Sequence, residues 1–252
     1  MSLQGFTLTL AGGATARAVR VAPGADLAGL AEALALPPTR GTIAVVGGAK
    51  GFDAPEFDTL RRKAGRLLAE LADFAAEKGL AVVDGGTPHG VMRLLGEARS
   101  ARGDGFPLIG VAPLGGITWT DRPSGEGGDT PLDANHSAFV LVEADSWGGE
   151  AETLAAAAHA LGGGQPTLEI LVNGGEVARD DAWFYVRRGG ALVTVEGSGR
   201  FADELASALK QGQSGDEAIQ ATLDSGRVYT FALDSPPGAF AARLASLLEA
   251  QR

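Results

Sequence analysis

The sequence predicts a doubly wound α/β fold: a mainly parallel sheet with helices on both faces and a small N-terminal β-hairpin appendage. Three observations predict it. Six short apolar segments recur, TIAVV (42–46), LAVVD (80–84), PLIGVA (107–112), AFVLVE (138–143), TLEILV (167–172) and ALVTVE (191–196). Near-continuous runs of this kind suit strands covered on both faces. Longer stretches with helical spacing separate them. Glycine, 38 of 252 residues against a usual ~7%, gathers just after strands and follows no repeat.

The elements follow in order. FTLTL (6–10) and ARAVRV (16–21) flank AGGAT and read as a hairpin. A short helix is expected from Asp26 to Leu36, stopped by Pro37-Pro38. In 56–78 one stripe carries Phe57, Leu60, Ala64, Leu67, Leu68, Leu71, Phe74 and Ala75, with charged residues outside it. Thr87-Pro88 reads as an N-cap followed by proline at the first helical position, opening a helix to Arg99. Further helices are expected over 150–161, 177–188, 201–211 and 238–250. Segment 114–135, rich in Gly, Pro and Asp, has no period and is too long for a plain connector, so it reads as a mobile or lid-like loop. The expected organisation is an appendage, 1–40, packed on a main domain, 41–252.

Composition narrows the function. Lys+Arg 21 against Asp+Glu 31 gives a net charge of −10, which disfavours a nucleic-acid polymer or an anionic membrane as partner while allowing a local basic pocket. The absence of cysteine excludes disulfides, thiolate metal sites and Cys nucleophiles. His89, His136 and His159 show no ligand spacing, so no metal is expected. No apolar run reaches 18 residues and the start lacks a signal-peptide pattern, which predicts a cytoplasmic chain.

Four glycine turns follow strands: Gly47-Gly48-Ala49-Lys50, Gly85-Gly86-Thr87, Gly174-Gly175-Glu176 and Gly197-Ser198-Gly199-Arg200. If their strands are parallel, all four lie on the carboxyl edge of the sheet, where open α/β folds bind ligands. Glycine lets backbone N–H groups approach an anion, and the next helix N-terminus favours negative charge. The competing reading is tight helix–sheet packing. GSGRFA (197–202) matches a GxGxxA fingerprint, but on the last expected strand and with no acidic strand end ~20 residues on, which disfavours an NAD dehydrogenase.

Lys50 and Arg200 are the cations within these loops, either phosphate grips or solvent-facing side chains. Glu143, Asp145, Glu150, Glu176 and Glu196 lie at or past strand ends, as ribose acceptors or general acid/base candidates. Glu150 fits a ligand role best, and Glu176 also suits a helix-dipole role. Trp147 and Phe52 either stack on a base or pack in the core. His136 precedes its strand and is expected at the end opposite the glycine turns, in a structural role. His89 is expected to be exposed. No serine–histidine triad is legible, since neither His136 nor His89 has an evident acidic partner.

Together VVGGAKGF (45–52), DGGTPHGVMRLLGEA (84–98), LIGVAPLGGITW (108–119), LDANHSAFVLVE (132–143), WGGE (147–150), LVNGGEVA (171–178) and VTVEGSGRFADELA (193–206) resemble, in order and spacing, the SLOG superfamily. The likeness is to the N-terminal SLOG (LSDAT) module of melastatin-type TRP channels and its free-standing prokaryotic relatives. More distant members are the Lonely-guy phosphoribohydrolases and DprA. The resemblance covers about 42–230. It implies a Rossmann-like fold whose glycine loops, at all the turn residues named above, bind a nucleotide-derived ligand, ADP-ribose in some channel modules. It requires no further cofactor.

Two departures qualify it. The channel step begins with tyrosine and places an arginine four residues after its Glu; here those positions hold Trp147 and Leu154. The hydrolase loop PGGxGTxxE corresponds to Asn173-Gly174-Gly175-Glu176-Val177-Ala178, without its threonine or its downstream glutamate. The implied function is a soluble sensor module for an ADP-ribose-like or other nucleotide signal, acting on an unspecified effector protein. The alternative is a nucleotide N-glycosidase with Glu150 or Glu176 as catalytic candidates. The Ala-rich stretch 151–160 offers a face for a homodimer.

Overall fold

In the computed structural model, which describes residues 3–123 and 125–251, the apolar segments become the parallel strands expected of them. The main sheet has nine strands: β1 (Gly5–Thr9), β2 (Thr15–Val21), β3 (Thr42–Gly47), β4 (Ala81–Asp84), β5 (Leu108–Pro113), β8 (Ala138–Val142), β9 (Thr167–Val172), β10 (Ala191–Glu196) and β11 (Val228–Ala232). Two short strands, β6 (Ile117–Thr118) and β7 (Thr130–Pro131), pair apart from it. The order across the main sheet is β1-β2-β8-β5-β4-β3-β9-β10-β11. Only β1 is antiparallel to its neighbour.

From β3 the chain winds outward through β4 and β5 to β8. It then returns across the sheet to β9 and winds outward the other way through β10 to β11. The order therefore reverses between β3 and β9, which pair directly from Thr42↔Thr167 to Gly47↔Val172. Such a reversal leaves a crevice at the carboxyl edge.

The helices divide between the two faces, as double winding requires. On one lie α2 (Asp58–Lys78), α3 (Gly90–Ser100) and α8 (Ala239–Glu249). On the other lie α1 (Leu30–Ala33), α4 (Ala151–Gly162), α5 (Glu176–Arg187), α6 (Arg200–Gln211) and α7 (Glu217–Asp224). Fully buried Ile43, Val45, Val82 and Leu68 exemplify the first core, and Ala44, Val83, Val140 and Leu205 the second.

The structure revises several expectations. The hairpin is continuous with the sheet, because β2 pairs in parallel with β8 from Arg17↔Ala138 to Val21↔Val142. Helix α1 spans only four residues, bounded by Gly29 and Ala35 in left-handed backbone conformation. Helix α3 opens at Gly90 rather than at Thr87-Pro88, because the Asp53 carboxylate accepts from the Gly90 amide and takes the capping role. A further helix–strand unit, α7 and β11, was not expected. Asp216 caps α7 by accepting from the Ala218 and Ile219 amides, and β11 pairs with β10.

Within 114–135, of which residue 124 lies outside the described residues, the chain is anchored at three apolar side chains rather than free. Leu114, Ile117 and Leu132 are buried against Leu8, Ala18 and Phe139, in a core of their own at the hairpin end of the sheet. The alanines expected to face a second copy are used within the chain: Ala151, Ala155, Ala157 and Ala158 of α4 are fully buried. No helix among the described residues is long and apolar enough to cross a membrane.

Candidate functional site

A cavity of about 400 Å³ opens at the β3/β9 reversal, within the usual size range of small-molecule sites. Strand β3 and its turn contribute Val45, Val46, Gly47, Ala49, Lys50 and Gly51, and the turn after β4 contributes Gly85 and Thr87. His89 and Met92 enter from the α3 side, Thr130 from the long loop, and Trp147, Glu150 and Leu154 from the start of α4. Val177, Ala178 and Asp181 complete it from α5.

Backbone geometry explains two of the glycines. At Gly47, φ is +149° and a Cβ would lie 1.9 Å from the Val172 carbonyl oxygen, so only glycine lets β3 turn this close to β9. At Gly175 a Cβ would stand 2.7 Å from Nη2 of Arg200. That guanidinium lies across the turn after β9 and reaches toward Gly51. Arg200 is itself left-handed (φ +53°), a costly conformation for a residue with a Cβ. Lys50 and Arg200 are both exposed, and neither takes part in an ion pair among the described residues.

The opposite wall is acidic. Glu150 is only 4% exposed and its Oε2 accepts from the Gly148 amide at 2.8 Å. Burial nevertheless outweighs that hydrogen bond and pushes its pKa up to about 7. Asp181 is 6% exposed, and its Oδ1 has no hydrogen-bond partner in the protein. Burial, then the neighbouring Glu150 and Asp180 charges, raise it well above the carboxylate range. Behind it Glu169, wholly buried on β9, leaves both carboxyl oxygens unpartnered, and burial and Asp181 raise it likewise.

Of the expected site residues, Gly47, Ala49, Lys50, Gly85, Thr87, Trp147 and Glu150 come together at this cavity. Gly48, Gly86, Gly174, Gly175, Glu176, Gly197, Ser198, Gly199 and Arg200 do not line it. Arg200 and Gly175 stand beside it, by the contact just described. Ser198 is fully buried: its hydroxyl accepts from the Asn173 amide at 2.7 Å and donates to the Val195 carbonyl at 2.6 Å. It thus laces the turns after β9 and β10 together. The Glu176 side chain is 94% exposed and near Arg179, at the outer surface of α5. Glu143 pairs with Arg20 and Glu196 with Lys210, at the surface. Phe52 is fully buried in the core.

Both histidines read as lacking acidic partners have them. His89 lines the cavity, and its Nδ1 lies 3.3 Å from Asp53. Asp53 also accepts from Arg93 at 2.8 Å and from the Gly90 amide at 3.1 Å. Its burial works to raise the pKa, but these hydrogen bonds and the Arg93 charge prevail and lower it. His136 is fully enclosed, with Nε2 2.7 Å from Asp84 Oδ1 and Nδ1 3.1 Å from Asp133 Oδ2. Desolvation opposes its charge, yet Asp84 and Asp133 raise its pKa to about 9. His136 was expected at the far end of the sheet. It meets the Gly85-Gly86 turn because the strands are staggered: Asp84 at the end of β4 is level with Gly110, and Gly110 with Phe139 near the start of β8.

A family model described as SLOG in TRPM, prokaryote, matches residues 40–242. The chain belongs to that family. It is also similar to transient receptor potential cation channel subfamily M member 2 of Mus musculus and of Rattus norvegicus, at 29% identity over 199 residues. The match covers 65% of this chain and 13% of either channel. Two solved structures share the fold of this SLOG chain. The structural-genomics protein TM1055 has a TM-score of 0.54 at 18% identity, over 83% of this chain and 99% of that one. The molybdenum cofactor carrier protein of Chlamydomonas reinhardtii has a TM-score of 0.52 at 18% identity, over 84% and 99%.

Sequence reasoning missed Asp181, Met92 and Asp53 in this SLOG site. A signal for Asp181 was present. It shares one face of α5 with the buried Ala178, Ala182 and Tyr185, and a lone carboxylate on an apolar helical stripe calls for a partner or a cavity. Asp53 and Met92 carried no comparable mark, since their roles depend on how the turn after β3 meets α3.

Proposed function

We propose that the chain is a sensor module that binds a phosphate-bearing, nucleotide-derived small molecule, ADP-ribose-like or another NAD-derived signal, in the cavity at the β3/β9 reversal. The carrying observation is the cavity's position, at the reversal of strand order, with exposed Lys50 on its rim and Arg200 beside it. Phosphates sit by these cations and the N-terminus of α5, where Arg200 offers a planar fork and Lys50 a point charge. Trp147, 41% exposed at the mouth, presents an aromatic face to a base. Membership of the SLOG-in-TRPM family supports this reading. The N-terminus of α3 is not part of the phosphate site, because Asp53 already occupies the Gly90 amide.

The test is a thermal-shift panel with ADP-ribose, cyclic ADP-ribose, NAD, AMP and ATP. A ligand at a hundred times its Kd adds about 2.7 kcal/mol. A selective rise that Arg200→Ala and Lys50→Ala together abolish supports the reading; a flat panel overturns it.

One observation favours a second reading, nucleotide N-glycosidase activity. Glu150 lies in the cavity with a pKa of about 7, which suits a general acid for a departing base. Glu176, exposed on the far side of α5, is not placed for that role. Release of free base from AMP or ADP-ribose, lost in Glu150→Gln and kept in Glu176→Gln, decides for the enzyme.

A further inference from the structure

The cavity has two chemically opposed ends, and the sensor reading leaves the acidic end without a task. Lys50 marks the outer rim, and the Arg200 guanidinium stands beside it. Glu150 and Asp181 form the inner wall, both buried, beside Leu154 and Ala178. Glu150 has the Gly148 amide as a partner, whereas Asp181 Oδ1 has none. A buried oxygen left unpaired is costly, and this one belongs to a side chain that lines a cavity. Among the described residues it forms no ion pair, and Lys50 and His89 are the basic side chains that line the same cavity. The charged and titratable groups around it are Glu150 from α4, Glu169 from β9 and Asp180 on its own helix. On the same layer His159 lies near Tyr185, and Arg188 is paired with Glu152.

We propose that Glu150 and Asp181 select the orientation and the class of ligand: its buried end carries O–H or N–H donors, while its phosphates stay at the rim. This rests on the nucleotide reading above and deepens it. A phosphate pushed inward would meet two carboxyl groups at close range and lose its cations. A vicinal diol of a ribose, or an exocyclic amine of a base, instead supplies the donor that Asp181 Oδ1 lacks and a second one to the Glu150 carboxyl. Met92 and Val177 then enclose the apolar part of the same group. Ligands whose far end is a second phosphate or carboxylate are rejected by this wall.

Isothermal titration of the full chain tests this with two probes, ADP-ribose and inorganic pyrophosphate. ADP-ribose has no group that titrates near pH 7, so its binding in two buffers of different protonation enthalpy reads the protein's protons. Donor contacts favour the ionised carboxyls, so a fraction of a proton is released. Asp181→Asn, close in shape, diminishes that release and weakens ADP-ribose about 10-fold or more, while pyrophosphate binding changes less than about twofold. Glu150→Gln is the second variant and moves both readouts the same way. An ADP-ribose analogue with hypoxanthine as its base identifies the donor: retained affinity assigns the ribose hydroxyls, and lost affinity assigns the amine.

Proton uptake on binding ADP-ribose overturns the proposal. So does an Asp181→Asn protein with unchanged affinity, or equal weakening of pyrophosphate. Pyrophosphate binding without ADP-ribose binding overturns this proposal alone. Failure of both probes overturns the nucleotide reading and this one with it.

Discussion

Two buried polar clusters lie in the same sheet, and they are built on opposite terms. Between β4 and β8, His136 has both ring nitrogens paired, to Asp84 and Asp133. Asp84 Oδ1 also accepts from the Gly86 amide, the Asp133 amide donates to the Gly86 carbonyl, and only Asp84 Oδ2 lacks a partner. Between α4, α5 and β9, Glu150, Asp181 and Glu169 are buried with few donors and, among the described residues, without an ion pair. The first cluster completes itself and pins the turn after β4. The second leaves acceptor oxygens without partners, and it borders the cavity. Buried charge that is paired reads as architecture, and buried acid that is unpaired at a cavity reads as a ligand site.

The largest effect should come from breaking the paired cluster. His136→Ala leaves two buried carboxylates facing each other, and about 3–5 kcal/mol of stability should disappear in urea denaturation at pH 7. A change of pH probes the same cluster less drastically. The folded pKa of His136, about 9, lies above its ordinary 6.5. Its contribution is therefore fully present below pH 6.5 and lost as pH rises through 9, by up to roughly 3 kcal/mol. If stability stays flat across that window, the imidazolium is not what holds the cluster.

To substitution the unpaired cluster should respond with the opposite sign, although its pH dependence runs the same way. Glu150 has a folded pKa of about 7 against an ordinary 4.5, so the native state keeps a proton that the unfolded chain gives up. Its contribution to stability falls as pH rises from 4.5 to 7. Glu150→Gln removes that fall and should stabilise the chain at pH 8 by about 1–2 kcal/mol, with little change at pH 4. Destabilisation at pH 8 would show that the carboxyl is satisfied in a way the comparison denies.

At the cationic rim the effect moves from stability to binding. Arg200→Ala should change stability by less than about 1 kcal/mol yet weaken a phosphate-bearing ligand about 10-fold, the loss shrinking as salt is added. Smallest of all, Glu176→Gln should alter neither stability nor binding measurably, since its side chain is 94% exposed.

Much of this molecule was legible before its structure. The six apolar segments became β3, β4, β5, β8, β9 and β10, and the four glycine turns lie on one edge because those strands are parallel. Local composition determines strand, turn and helix periodicity, and near-continuous apolar runs determine burial on two faces. Lys50, Trp147 and Glu150 could be picked out because each adjoins such a turn.

What the chain could not declare locally was which turns share a cavity. Gly197-Ser198-Gly199 resembles the other turns in sequence but serves to fasten β10 to β9 through Asn173. Asp181 resembles an ordinary helical acid but stands near Glu150 on the same cavity wall, brought there by the crossover from β8 to β9. His136 resembles a residue at the wrong end of its strand until the stagger of β4 against β8 sets it beside Asp84. Strand order and register are properties of long-range pairing. They decide whether a carboxylate meets a histidine, a lysine or an empty space, and with that its charge.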